Sequence, residues 1–189
     1  MTRDYLEIFL SVQPDTPWGL RNRAMLSLGY DILARRSELI ALWADDLIWQ
    51  SDGTMSVLVR RSKTDQFGKG RVAFTSLRSA KLVDAWLAWR PHEIGPLFCP
   101  IYQNVAIDRC LSDTTVKDII KQSARAAGLD ASIAAAFSGH SMRVGAAQDL
   151  LAAGQSTSAI MRAGGWKSVE VVQRYIENAE VNVWDNLLE

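Results

Sequence analysis

The sequence has no run of about 18 consecutive apolar residues, so no stretch of it has the length that crosses a bilayer as a helix. It has only two cysteines, Cys99 and Cys110, and they form neither a CxxC pair nor a metal-ligand spacing. That excludes a disulfide framework and a zinc site of ordinary spacing, and both are read as reduced structural thiols. It has no excess charge of either sign, with 21 basic against 21 acidic residues. Binding a duplex requires Lys and Arg to neutralise phosphates, so the overall balance argues mildly against a nucleic-acid partner, though it says little about local fields. The N-terminal segment lacks a signal peptide's apolar stretch and carries Asp4 and Glu7, which predicts a cytoplasmic protein. No internal repeat, low-complexity tract or Pro/Gly/Ser-rich linker interrupts the chain, which excludes solenoid and disordered classes.

What remains is an ordinary globular composition: 189 residues, 48% hydrophobic and 22% charged. A chain of this size buries about 70% of its unfolded surface, which is enough for one real core. Thr16 or Asp15 can cap a helix with Pro17 in its first turn. That helix is predicted to run through Leu20, Ala24, Met25 and Leu28 towards Leu33, with a second short helix capped by Ser37. The period then changes. Thr54 to Arg61 alternates as a strand with Met55, Val57 and Val59, and Arg71 to Thr75 is its partner with Val72 and Phe74 on one face. Residues 65–70 link them, and Leu47 to Gln50 is a third strand. Beyond Leu77 the pattern is helical again, first through Trp86 and Trp89 to Pro91, then from Ser112 or Asp113 to Gly128. Shorter helices follow over about 141–153, 157–163, 168–178 and 181–188, the first two stopped by Gly154 and by Gly164-Gly165. The fold class is mainly α with a small antiparallel β-sheet, an α+β arrangement.

Four polar features stand out. Arg35-Arg36-Ser37-Glu38-Leu39 lies at a helix junction, Lys63 ends a strand beside a glycine-bearing loop, His140-Ser141-Met142-Arg143 opens a helix after Gly139, and Gly164-Gly165-Trp166 precedes Tyr175. Alone, each has a bland structural reading. Together they suit one chemistry, the cleavage of a phosphodiester. Two arginines offer forked donors matched to phosphate oxygens. Histidine and an indole N–H add directed hydrogen bonds. A lysine can protonate a leaving alkoxide, and a tyrosine is a competent nucleophile where cations stabilise its phenolate. No carboxylate cluster with metal-binding spacing accompanies the set, so the reading invokes no metal and no cofactor. Residues 60–71 add a local basic run, with Arg60, Arg61, Lys63, Lys69 and Arg71 against Asp65.

The order R…K…HxxR…W…Y resembles the tyrosine recombinase (phage integrase) family over essentially the whole chain. The likeness is most specific in Ser138-Gly139-His140-Ser141-Met142-Arg143-Val144-Gly145, Ala163-Gly164-Gly165-Trp166 and Tyr175-Ile176. It implies the fold of that family's catalytic domain, as a single domain over 1–189 that lacks the N-terminal core-binding domain members usually carry. It implies catalytic roles for Arg35, Glu38, Lys63, His140, Arg143, Trp166 and the nucleophile Tyr175, with Lys69 the weaker candidate for the proton donor. Trp166 stands where most members have His and some have Trp. The activity implied is site-specific DNA recombination through a 3′-phosphotyrosyl intermediate, without metal or ATP.

The alternatives are a non-cleaving DNA-binding or accessory module of a mobile element and a Tyr-dependent DNA-relaxing or resolving enzyme. The expected partners are double-stranded DNA bearing a recombination site and other protomers of a DNA-bound tetramer, joined through the C-terminal helix, with no membrane. The expected location is the cytoplasm, on the nucleoid when bound. Phosphate contacts are expected from Arg60, Arg61, Lys69, Arg71, Arg162, Lys167 and Arg174, and base contacts from Thr114, Thr115, Lys117 and Lys121 on the helix that opens near Ser112.

Overall fold

Backbone groups left over at helix ends decide where most elements begin and stop. The computed structural model describes residues 1–60, 70–177 and 179. Arg61, Lys63, Lys69 and the helix expected over 181–188 lie outside the described residues. The chain begins with α1 (Arg3–Ser11) and α2 (Pro17–Asp31). Thr16 caps α2 by accepting the Gly19 N–H at 3.3 Å, and Pro17 fills the first turn, where no N–H is needed. The short α3 (Arg36–Ile40) starts one residue before the expected Ser37 cap. Arg35 is its N-cap, and the Glu38 carboxylate reaches back to the Arg35 N–H at 3.1 Å.

Strands β1 (Leu47–Trp49), β2 (Met55–Val59) and β3 (Arg71–Phe74) form an antiparallel sheet in that order. Val57 pairs with Leu47 on one side and Ala73 on the other. Period-two alternation puts Met55, Val57, Val59 and Ala73 on the buried face. Val72 and Phe74 do share a face, as expected, but it is the solvent face, along with Ile48. The core position of β3 is the small Ala73 between them.

Helix α4 (Leu77–Trp89), capped by Ser76, packs along α2. A small hairpin, β4 (Ile101–Tyr102) and β5 (Val105–Ala106), follows in a stretch to which the sequence pattern assigns no element. Then come α5 (Asp113–Ala126), capped by Ser112, and the six-residue α6 (Ala131–Ala136). Among the described residues the last three helices are α7 (Ser141–Ala152), α8 (Thr157–Gly164) and α9 (Val169–Ile176). Among the described residues no helix is long and apolar enough to cross a membrane.

Two hydrophobic cores result. The larger gathers Leu6, Phe9, Met25, Leu28, Val57, Val83, Trp86 and Ile120 with their neighbours from α1 to α7. The smaller comprises Leu33, Ala146, Ala147, Ile160, Trp166 and Val172, with Tyr175 packed against it. Trp166 and Tyr175 thus belong to the smaller core, with the Arg143 guanidinium against the Trp166 ring.

Candidate active site

Helix α2 stops at Asp31 and does not continue to Leu33. Leu33 adopts a left-handed φ of 48°, the Leu33 N–H bonds the Tyr30 carbonyl at 3.1 Å, and the Ala34 N–H bonds Gly29 at 3.0 Å. This closure turns the chain sharply and delivers Arg35 two residues later. Helix α8 ends the same way around Gly165, with φ 65°, Gly165 N–H to Arg162 at 3.3 Å and Trp166 N–H to Met161 at 2.9 Å. That turn delivers Trp166.

Glu38 is buried, 2% exposed, and organises the first turn. Its Oε1 accepts from Arg35 Nη1 at 2.5 Å, and its Oε2 from the Arg35 N–H at 3.1 Å and from Arg71 Nη2 at 3.3 Å. Buried charges need such pairing, because an isolated one is costly to desolvate.

His140 and Arg143 stand three residues apart at the start of α7, so they share a helix face. Ser138 and Ser141 tie the approach: the Ser138 N–H bonds Ser141 Oγ at 2.8 Å and the His140 N–H bonds Ser138 Oγ at 3.2 Å. His140 is exposed to solvent on one side. Partial burial, then the positive charge of Arg36, Arg143 and Arg35, holds its imidazole below the ordinary 6.5. The ring is therefore neutral near pH 7. The Arg143 side chain is fully buried. Nη1 donates to the Leu33 carbonyl and Nη2 to Gly164 at 2.7 Å. Burial and the neighbouring Arg35 pull the Arg143 guanidinium down to about 10, which leaves it charged at neutral pH.

Trp166 covers this guanidinium, with Arg143 Cζ 3.8 Å from the ring centroid. The Tyr175 ring is tilted against Trp166 at 5.1 Å and lies 5.8 Å from the same guanidinium. Trp166 Nε1 and Arg143 Nε are buried with no protein hydrogen-bond partner. Arg71 Nε and Arg90 Nε are unpartnered in the same way, but these two belong to one stacked pair, where an acceptor from outside the chain would find two donors.

The structure thus brings Arg35, Glu38, His140, Arg143, Trp166 and Tyr175 together. Lys63 falls outside the described residues. The expected DNA contacts divide. Arg162, Lys167, Arg174 and Thr114 are exposed, and Thr115 and Lys117 are partly so. Arg60 pairs with the buried Asp46 carboxylate, and Lys121 donates to the Ala135 carbonyl of α6 at 2.9 Å. Arg71 is turned inward beneath the site, its nitrogens on the carbonyls of Ile32 and Ala163. Arg36, which sequence reasoning treated only as a neighbour of Arg35, lies across Gly139 beside His140, 3.9 Å from Asp113. The signal was there in the glycine preceding His140: a Cβ at 139 would stand 1.7 Å from Arg36 Cδ.

A helical body with a three-stranded sheet at one edge and an Arg–His–Arg–Trp–Tyr set has the layout of tyrosine recombinase catalytic domains. The chain belongs to the phage integrase family, whose model matches residues 1–181. It is 34% identical over 172 residues to recombinase Cre of Escherichia phage P1, covering 85% of this chain and 50% of Cre. It is 33% identical over 170 residues to an integrase/recombinase XerD homolog of Selenomonas ruminantium, covering 86% of this chain and 49% of that protein. Its fold matches the XerH site-specific recombinase in a post-cleavage complex with palindromic difH substrate, with a TM-score of 0.74 at 18% identity, over 95% of this chain and 50% of XerH. The chain spans about half the length of the curated relatives it matches.

Proposed function

We propose that this chain is the catalytic region of a site-specific DNA recombinase that cleaves and rejoins strands through Tyr175. One observation carries the reading. Trp166 Nε1 and Arg143 Nε, both buried without a protein partner, belong to a stacked pair against which the Tyr175 ring packs. Leaving a buried donor unpaired costs about 1–3 kcal/mol, which a phosphate oxygen accepting from it would offset. The unpartnered donors favour a cleaving enzyme over a non-cleaving module, because they need an acceptor beside the nucleophile and not merely a surface for the duplex.

In the proposed step the Tyr175 oxygen attacks the scissile phosphorus, a P–O bond to tyrosine forms, and the P–O5′ bond breaks. Neutral His140 takes the phenol proton, and Lys63 supplies a proton to the departing O5′, so protons balance. Arg35, Arg143 and the Trp166 N–H hold the charge that develops on the phosphate oxygens. The 3′-phosphotyrosyl ester keeps the bond energy, and attack by a 5′-hydroxyl reverses the step and rejoins the strand without ATP. XerH, a structural neighbour, is seen bound to a DNA substrate. For this chain the proposed partners are duplex DNA, contacted through exposed Arg162, Lys167 and Arg174, and further protomers joined by the C-terminal segment in a tetramer. The proposed location is on DNA in the cytoplasm.

The test is covalent trapping. Incubation with nicked duplexes of randomised sequence is expected to give a detergent-stable protein–DNA adduct that Tyr175→Phe abolishes. Sequencing the trapped DNA identifies the site. An adduct that persists in Tyr175→Phe would overturn the assignment of the nucleophile. Failure to trap even with a recombinase clamp domain fused upstream of Met1 would favour the non-cleaving module.

A further inference from the structure

Arg71 opens β3, where its place in a basic run suggests an outward phosphate contact. Its side chain is instead only 13% exposed. Nη1 donates to the Ala163 carbonyl at 2.8 Å, and Nη2 donates to the Ile32 carbonyl at 2.8 Å and to Glu38 Oε2 at 3.3 Å. Arg143 makes the matching pair of contacts one residue further along each turn, to Leu33 and Gly164. Both turns are helix C-termini, whose last carbonyls lack intrahelical partners and carry partial negative charge. Two guanidiniums therefore staple the end of α2 to the end of α8. One turn presents Arg35 and the other Trp166, so the staple fixes the spacing of two groups 131 positions apart in the sequence.

The two arginines are not equivalent. Arg143 also faces the site, under the Trp166 ring. Arg71 lies behind it: its Cδ would stand 2.7 Å from a Cβ on Gly165, the left-handed residue of the Trp166 turn. It also holds the Glu38 oxygen opposite the one that holds Arg35 Nη1. Arg71 Nε is buried without a protein partner, and to bring Nη1 or Nη2 to a phosphate the side chain would have to leave the three acceptors those nitrogens hold. We infer that Arg71 is a positioning residue for strand cleavage, which sets the Trp166 turn against Arg35 and Glu38 and makes no contact with DNA. This rests on the function proposed above and assigns a role that the basic run does not suggest.

The test compares wild type, Arg71→Lys and Arg71→Gln in two measurements. The first is hydrogen exchange of the free protein. Amides over 30–36 and 160–168 are expected to exchange faster together in both variants, less so in Arg71→Lys, while the middle of α4 keeps its protection. The second is single-turnover cleavage of a nicked duplex recovered by trapping with wild type, alongside its dissociation constant. Displacing groups from a reacting centre lowers rates by about a hundredfold, so Arg71→Gln is expected to lose about that much in the cleavage rate of bound DNA. Arg71→Lys, which keeps the charge and can still donate to carbonyls, is expected to recover part of it, and the dissociation constant stays within about twofold of wild type. Unchanged exchange with weakened binding and a normal cleavage rate would overturn the inference and restore a direct phosphate contact. If Arg71→Gln does not fold, Arg71→Lys alone decides on the same readings. A wild type that forms no adduct would defeat the proposed function, and the positioning role with it. A wild type that cleaves beside variants that also cleave normally would defeat the inference alone.

Discussion

The indole of Trp166 roofs the guanidinium of Arg143, with 3.8 Å between Cζ and the ring centroid. The roof is possible because residue 164 is glycine, since a Cβ there would stand 2.0 Å from Trp166 Cζ3. The same side chain therefore does two things. Its ring face stabilises a buried cation, in an interaction of about 0.5–2 kcal/mol, and its edge carries an N–H with no partner in the protein.

Substitution separates the two roles. Trp166→Phe keeps a ring over Arg143 and removes the donor. A hydrogen bond to a charged group is worth about 1.5–3 kcal/mol, so cleavage is expected to slow by about ten- to a hundredfold. The melting temperature should stay near wild type, because the lost N–H has no partner in the free protein. Trp166→Ala removes the roof as well and is expected to lose about 3–5 kcal/mol of stability. Single-turnover cleavage and chemical denaturation check the pair. Equal stability losses in both variants would contradict the division.

His140 gives a pH dependence whose sign is fixed. Its folded-state pKa is lowered, by burial first and then by Arg36, Arg143 and Arg35. Above about pH 6.5 the imidazole is neutral in both folded and unfolded chains and contributes nothing. Below that the unfolded chain takes up the proton more readily, so stability falls as pH falls. His140→Asn, which does not titrate, is expected to lose less than wild type between about pH 6.5 and 5. Paired denaturation curves across that window check it, and a wild type that gains on the variant as the pH drops would show the shift to be upward. The cleavage rate is expected to fall on the acid side as well, as His140 takes its proton.

Gly139 is small for a steric reason. An added methyl would meet Arg36 Cδ at 1.7 Å and Cγ at 2.1 Å. Gly139→Ala is expected to cost about 1–3 kcal/mol through overpacking. The penalty should shrink when Arg36→Ala is already present, because the three nearest atoms the methyl would meet all belong to that side chain. A double-mutant cycle measures this coupling, and strict additivity would place the cause elsewhere.

Leu33 poses a contest of magnitudes. A left-handed leucine costs about 1–2 kcal/mol, which glycine would relieve. Its side chain is 1% exposed in the smaller core, and truncating such a group costs about 2–5 kcal/mol, to which glycine adds unfolded-chain entropy. Leu33→Gly is therefore expected to be less stable than wild type. Urea denaturation decides, and a stabilised variant would mean that backbone strain outweighs the buried side chain.

The same residue shows how far the fold can be read from sequence. Helices α5, α7 and α8 close around Gly128, Gly154 and Gly165, and their ends are legible because glycine marks the left-handed position. Helix α2 closes identically around a leucine, so apolar spacing alone carries its pattern on towards Leu33. Caps at Thr16, Ser112 and Ser156 are equally legible, each accepting the N–H three residues on. Helices α1 and α6 are not read from the pattern, nor is the small hairpin, and α6 and the two-residue strands are too short to show a period. At the site, residue types and order pointed to Arg35, His140, Arg143, Trp166 and Tyr175. The inward turn of Arg71 was illegible, because a basic residue beside a basic loop reads as surface until the carbonyls of Ile32 and Ala163 are placed around it.

Tyr175 rides on α9, which packs chiefly on α7 and α8 over the smaller core. A core that small has little margin of its own, and segments with few buried apolar contacts open at a lower free energy than the body they lean on. Tyr175 thus sits on a helix held by the smaller of the two cores. On the function proposed above, strand transfer obliges this tyrosine to be held firmly for attack and released afterwards, and a short helix on a small core can loosen without unfolding the body it leans on.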